Sequence, residues 1–264
     1  MNIILRTSMS LAGLFVMLAS LLASSVVQAQ DRDARSILKA MSDYVGSQQT
    51  IGFTFDSSIE VITPQLEKIQ FTNSGSALLS RPDKFRAHRT GGYSDVFLTF
   101  DGKTVSVFGN HTNSYAQFDG PANIDQLIEA LRDGHGIALP GADLLLSNSY
   151  DILVADVIEA KYIGHGVIDG RECAHLAFRN HDTDWQLWVE LGVRPAPRKL
   201  IITSKTMNSA PQYTVRIKDW MTDVRPAAAD AFAFVPPAGA QKLQPDELIE
   251  LDELPQSATT GGGQ

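Results

Sequence analysis

The chain has 264 residues, of which 44% are hydrophobic and 20% are charged, and its formal net charge is −8 at pH 7. This acidic balance, without a stripe of Lys and Arg, excludes nucleic acid and an anionic membrane surface as main partners, because both are bound through clustered positive charges. The single cysteine, Cys173, excludes a disulfide within one chain, and we interpret it either as a small core residue or as a reactive thiol.

The N-terminal residues have the pattern of a secretory signal peptide. One positive charge, Arg6, precedes an apolar stretch over residues 11–27, which ends in small residues at Ala29. This pattern predicts that residues 1–29 are a signal peptide, cleaved after Ala29 on export to the periplasm. A membrane anchor is the alternative, but the stretch is short for a membrane span and charged residues follow at 31–35. With no cysteine at the new N-terminus, we expect no attached lipid.

Hydrophobic spacing predicts one helix and then a run of strands. Apolar residues at helical intervals predict an amphipathic helix over 33–45, and a period of two predicts a long strand over 51–61. Strand patterns continue over four further ranges: 68–79, 84–89, 94–100 and 104–108. The dipeptide Asp101-Gly102 favours a hairpin turn between the last two. These runs predict a meander of antiparallel strands.

A helical insert interrupts the strands. Apolar spacing between Pro121 and Gly134 predicts a helix over 124–131, and a second helical region is expected over 142–160. Strand patterns then resume over five ranges: 161–168, 171–179, 185–191, 199–206 and 213–220. Because the strands are contiguous on both sides of the insert, the sequence predicts an α+β fold with one antiparallel sheet.

Composition divides the mature chain into a domain and a tail. We expect residues 30–241 to form one domain and residues 242–264 to form an acidic C-terminal tail. Apolar residues among the acids, Leu248 and Ile249 among them, favour either a short docking helix or a flexible, solvated tail.

Several short motifs resemble a known family. They are Ser80-Arg81-Pro82-Asp83-Lys84-Phe85-Arg86, Phe100-Asp101-Gly102-Lys103, Asp184-Trp185-Gln186-Leu187-Trp188-Val189-Glu190, Pro197-Arg198-Lys199-Leu200 and Phe234-Val235-Pro236-Pro237-Ala238-Gly239-Ala240. As a set they resemble DUF2092, a family of predicted periplasmic proteins, and to a lesser degree the lipoprotein carriers LolA and LolB. The resemblance implies a strongly curved antiparallel sheet, an unclosed β-barrel, with an N-terminal helix and inserted lid helices. It also implies an apolar concave side that can hold acyl chains.

Potential metal-binding and catalytic residues are densest around one predicted hairpin: His165, His175, His181, Asp182 and Asp184. A two-residue turn at Asp169-Gly170 places His165 opposite Ala174 and His175 on the other face, whereas a three-residue loop places the two histidines opposite each other. Zinc needs three or four convergent ligands, and the sequence has no HExxH motif. We therefore predict no metal site and no cofactor.

Nucleophilic catalysis also lacks a recognisable motif. There is no Gly-x-Ser-x-Gly sequence, and Cys173 with His175 two residues later lacks an identifiable oxyanion donor. We therefore predict no catalytic residues.

Aromatic residues on apolar strand faces are the better candidates for ligand contacts. Trp185 shares a face with Leu187 and Val189, and Phe53 and Phe55 share a face of the first strand. We interpret Trp185 either as a core residue or, together with Phe53 and Phe55, as part of a ligand groove.

The leading hypothesis is a non-enzymatic periplasmic binding protein, a carrier or sensor, for a lipid or the acyl chain of a lipoprotein. The first alternative is a protein-interaction module in envelope signalling or assembly, and the second is a hydrolase. An open apolar cavity favours the leading hypothesis, a filled core with an exposed apolar patch favours the interaction module, and convergent polar groups in a cleft favour the hydrolase.

Overall fold

The computed structural model describes residues 33–135, 137, 139–224 and 230–245. Helix α1 covers residues 33–47. Six strands follow: β1 Thr50–Ile62, β2 Lys68–Ser80, β3 Lys84–Gly91, β4 Asp95–Phe100, β5 Thr104–Gly109 and β6 Ser114–Asp119. The helical insert contains α2 Ile124–Glu129, a π-helical turn Ala130–Gly134, a 3₁₀ turn Ala142–Leu145 and α3 Ser149–Val154. The later strands are β7 Glu159–Ile168, β8 Arg171–Arg179, β9 Thr183–Glu190, β10 Pro197–Ser204, β11 Gln212–Thr222 and β12 Gln241–Lys242.

All twelve strands belong to one sheet, in the order β12-β6-β5-β4-β3-β2-β1-β11-β10-β9-β8-β7. The pairings are antiparallel except the short β12–β6 contact, which is parallel. The long pairing of β1 with β11 joins the meander before the helical insert to the meander after it. In the described part of the chain, the two outermost strands do not pair with each other, so the sheet stays open. The predicted α+β class, with one unclosed antiparallel sheet, is confirmed.

The helices cover one face of the sheet, which we call the concave face. Helix α1 buries residues at helical spacing, Leu38, Met41 and Val45 among them. These pack in one apolar cluster with strand residues such as Ile51 and Leu79, which are cross-strand partners on β1 and β2. An amphipathic helix on a sheet with one apolar face is the arrangement that buries both apolar surfaces.

Arg81, at the end of β2, ties the helical segments to the sheet. Its Nη2 donates to the carbonyl of Leu145 at 2.7 Å and its Nε donates to the carbonyl of Gln48 at 3.2 Å. Its Nη1 lies 3.9 Å from Oδ1 of Asp125, and the same oxygen accepts from the backbone N of Ser147 at 3.1 Å. One side chain thus links the end of α1, the first turn of α2 and the 3₁₀ turn.

The turn at Asp169-Gly170 has two residues. The sequence had left a two-residue turn and a three-residue loop as alternatives. Ile168 pairs with Arg171, and the two turn residues have φ values of 51° and 75°. Asp and Gly are among the residues that tolerate this left-handed backbone. His165 consequently lies opposite Ala174, and not opposite His175.

The central region differs from the sequence prediction in two places. The helical region expected over 142–160 consists of a 3₁₀ turn and the short helix α3, and it ends before β7 starts at Glu159. Ser147, Asn148 and Ser149 interrupt it, since short polar side chains compete with helical backbone bonds. Strand β6 was missed because its inward positions are small or mixed, and only pairing with β5 makes it a strand.

Candidate functional site

An apolar groove of about 790 Å³ lies at one end of the concave face, which we call the open end. It forms where β1, β10 and β11 meet their hairpin loops, and its lining contains no residue of the described helices. Its main apolar lining residues are Ile59, Val61, Leu66, Ile202, Met207 and Tyr213. The groove is therefore open to solvent and lined by the strands and their hairpin loops.

Cross-strand register explains how residues distant in sequence meet in the groove. Ile59 of β1 pairs with Tyr213 of β11, which pairs with Ile202 of β10, which pairs with Trp185 of β9. Side chains at paired positions share a sheet face, so these four residues form one row across the concave face.

Tyr213 provides a polar group in this apolar row. Burial raises the pKa of its phenol, while a hydrogen bond with the Ser57 side chain and the positive charge of Arg89 act in the opposite direction. A raised pKa keeps the phenol protonated at neutral pH. The groove wall therefore contains a neutral hydroxyl that is hydrogen-bonded to the Ser57 side chain.

Phe53 and Phe55 lie on the same concave face, between the helix-covered core and the groove. Both are half-buried and pack against the main apolar cluster, and Phe53 stacks on Trp220 with ring centroids 5.6 Å apart. The Phe55 ring contacts Gly75 closely, since a Cβ at this position would come within 2.4 Å of the ring. Neither phenylalanine is part of the groove lining.

Trp185 lies at the inner end of the row, beneath the helical insert. Only 6% of its surface is exposed, and its ring stacks on Phe178 with centroids 3.9 Å apart. Its Nε1 donates to Oδ1 of Asn180 at 3.3 Å. It lines a smaller cavity of about 160 Å³ between the sheet and α3, and Ile202 lines both this cavity and the groove.

Sequence reasoning missed the groove residues themselves. The alternation of β1 does place Ile59 and Val61 on the same face as Phe53, so this part of the signal was present. Leu66 and Met207 lie in loops, and their approach depends on the long-range pairing of β1 with β11.

The candidate metal-binding histidines around the β7–β8 hairpin do not converge on one site. Nε2 of His175 lies 2.9 Å from Oε1 of Gln186, and the His175 ring stacks on Trp188 at 4.0 Å, on the face opposite the groove. Within the residues that the structure describes, no group of three or more His, Cys, Asp or Glu could hold a metal ion.

The environment of Cys173 supports its interpretation as a core residue. The side chain is fully buried, and burial raises the pKa of its thiol. A raised pKa disfavours the thiolate, which is the reactive form.

A family model described as "Predicted periplasmic protein (DUF2092)" matches residues 34–244. The chain belongs to the DUF2092 family. This confirms the resemblance carried by the short motifs, and the family description places the protein among predicted periplasmic proteins. No curated protein matches the chain. In the described residues, no helix has both the length and the apolar character needed to cross a membrane.

Solved structures similar to this DUF2092 protein share little sequence with it. One is an uncharacterised conserved protein from Thermus thermophilus, with 11% identity, a TM-score of 0.48, and coverage of 80% of this chain and 99% of that chain. Another is the MucA/MucB complex of Pseudomonas aeruginosa, with 13% identity and a TM-score of 0.41. The match covers 76% of this chain and 61% of that chain. A LolA superfamily protein from Nitrosomonas europaea has 14% identity and a TM-score of 0.30. The match covers 76% of this chain and 97% of that chain. These likenesses concern the fold.

Proposed function

We propose that this DUF2092 protein is a non-enzymatic periplasmic binding protein, a carrier or sensor, for a lipid or the acyl chain of a lipoprotein. The observation that carries the proposal is the open apolar groove at the end of the concave face. Its volume of about 790 Å³ falls within the roughly 300–1,000 Å³ of small-molecule sites. The lining is mainly apolar, with a few polar side chains such as Tyr213, Thr63 and Ser204, and it suits a hydrocarbon chain better than a charged ligand.

The hydrophobic effect favours the transfer of an acyl chain from water into this apolar groove. Each methylene moved from water into an apolar site gains roughly 0.8 kcal/mol, so ~10 buried methylenes give a gross gain of ~8 kcal/mol. Ordering the chain reduces this gain. Micromolar affinity corresponds to a net gain of about 8 kcal/mol, so it requires an acyl chain that buries more than ~10 methylenes, and it needs no catalytic group.

Phe53, Phe55 and Trp185 are our proposed ligand contacts farther along the same face. Phe53 and Phe55 are only half-buried, so each keeps surface that a ligand can reach. Trp185 lines the small cavity that shares Ile202 with the groove. A chain that enters at the open end would reach Trp185 by passing Ile202.

A fluorescent fatty acid tests the groove directly. The wild-type protein should bind it saturably with micromolar affinity, and unlabelled lipid should displace it. Val61→Ser removes apolar contact from the groove wall, so we expect about five- to tenfold weaker binding in a fluorescence titration. The matched control is Val167→Ser on strand β7, where the side chain is 66% exposed outside the groove, and its affinity should not change. A wild-type protein that fails to bind the fatty acid contradicts the proposal.

We also propose that export removes residues 1–29, leaving a mature chain that starts at Gln30. The predicted signal segment lies outside the described residues, and the family match begins after it, at residue 34. N-terminal sequencing of the exported protein should find Gln30 first. Met1 retained on a membrane-bound form would contradict cleavage.

The predicted C-terminal tail is described only at its start. Gln241 and Lys242 pair with β6, and the backbone N of Leu243 donates to the carbonyl of Tyr115 at 2.7 Å. Residues 246–264, which hold most of the predicted tail, lie outside the described residues.

A further inference from the structure

Three hairpin loops expose large apolar side chains around the groove mouth, and we call these side chains the open-end rim. They are Leu66 between β1 and β2, Tyr93 between β3 and β4, and Met207 between β10 and β11. Their exposed fractions are 62%, 60% and 55%. Leu66 and Met207 line the groove, while the Tyr93 ring contacts Phe71 edge-on at 5.2 Å. Phe71 pairs with Ile59 of the groove row, so Tyr93 contacts the strand next to the groove.

The loop that carries Leu66 is held in a fixed conformation. The backbone N of Leu66 donates to the carbonyl of Thr63 at 2.8 Å, and the backbone N of Glu67 donates to Oγ1 of Thr63 at 3.1 Å. Leu66 itself has a φ of 65°, a left-handed conformation that non-glycine residues adopt only when their surroundings impose it. The exposure of this leucine is therefore built into the loop and does not result from a loose chain.

Two lysines near the rim are paired with acids, and the exposed Glu67 beside Leu66 adds a negative charge. Lys68 Nζ lies 3.1 Å from Oε2 of Glu60, and Lys205 Nζ lies 3.2 Å from Oδ1 of Asp184. The whole chain has a net charge of −8. This surface therefore offers no clustered positive charge for acidic headgroups, and its attraction must come from the apolar side chains.

We propose that the open-end rim docks on the interface of a phospholipid bilayer with zwitterionic headgroups. Single exposed apolar residues are normal on protein surfaces, but here Leu66 and Met207 from two loops line one apolar groove, and Tyr93 on a third loop contacts Phe71 on the neighbouring strand. Tyrosine prefers the headgroup level, and leucine and methionine can enter the adjoining hydrocarbon. The proposal rests on the proposed function in one respect: an acyl ligand is sparingly soluble, so a groove that opens onto a bilayer can exchange it without exposure to water.

The experiment is flotation of the purified mature protein with phosphatidylcholine vesicles, at low and at high salt. The wild-type protein should float with the vesicles at both salt concentrations, because apolar insertion is not screened. A triple variant, Leu66→Ser, Tyr93→Ser and Met207→Ser, should show at least tenfold less bound protein. The matched control, Val167→Ser, Leu191→Ser and Val193→Ser, removes exposed apolar side chains at the opposite end of the sheet and should float like the wild type.

Different experimental outcomes would overturn the membrane-docking proposal and the proposed function. A wild-type protein that binds the fluorescent fatty acid in solution but does not float overturns the membrane-docking proposal, leaves acyl binding intact, and favours a protein as the occupant of the rim. Equal flotation of the rim variant and the wild type also overturns it, as does binding that disappears at high salt.

Discussion

Replacing Glu190 with alanine is expected to lower the free energy of unfolding by about 3–5 kcal/mol. Oε1 of Glu190 accepts from Nη1 of Arg171 at 2.8 Å, and Oε2 accepts from both Nε and Nη2 of Arg198, the former at 2.7 Å. The Arg198 side chain is only 7% exposed. Removal of the carboxylate leaves the buried guanidinium of Arg198 without its partner. An unpaired charge that is shielded from water strongly destabilises the folded state.

Urea unfolding followed by tryptophan fluorescence measures this loss. The matched control is Asp43→Ala, which removes the partner of Lys39 in an exposed ion pair on α1. Exposed ion pairs contribute little to stability because solvent screens them, so the control should unfold close to the wild type. Similar midpoints for the Glu190 variant and the control would show that the buried pair does not stabilise the fold.

Replacing Trp185 with alanine should also be strongly destabilising, by about 3–5 kcal/mol. The indole is nearly fully buried, stacks on Phe178, and forms part of the contact between the sheet and the helical insert. Alanine leaves a cavity that the surrounding strands cannot fill. The control is Trp188→Ala, which removes a half-buried indole from the opposite face and should cost less.

A second Trp185 variant separates a structural role from ligand contact. Trp185→Phe keeps an aromatic ring on Phe178, so it should lose less stability than Trp185→Ala and remain folded. If Trp185 contacts the acyl chain, this variant binds the fluorescent fatty acid several-fold more weakly. Unchanged affinity in a stably folded Trp185→Phe protein would contradict Trp185 as a ligand contact.

Local patterns in the sequence determined the class of the fold and most of its strands. The helical spacing of Leu38, Met41 and Val45 appears in the structure as the buried face of α1. The Asp169-Gly170 turn followed from residues that accept a positive φ. The location of such features depends on neighbours within a few residues, so the sequence was sufficient to place them, whereas the pairing of β7 with β8 decided the length of the turn. The alternation around Trp185 likewise placed it correctly on an apolar strand face.

Only the tertiary structure decided where the groove lies and what lines it. Ile59 and Tyr213 are far apart in sequence, and they meet because β1 pairs with β11 in one particular register. A shift of one residue would move every one of these side chains to the opposite face. The loop residues Leu66 and Met207 carry no periodic signal, so their position at one mouth follows from that register alone. Non-local pairing was also needed to make β6 a strand, because its own alternation is too weak to specify one.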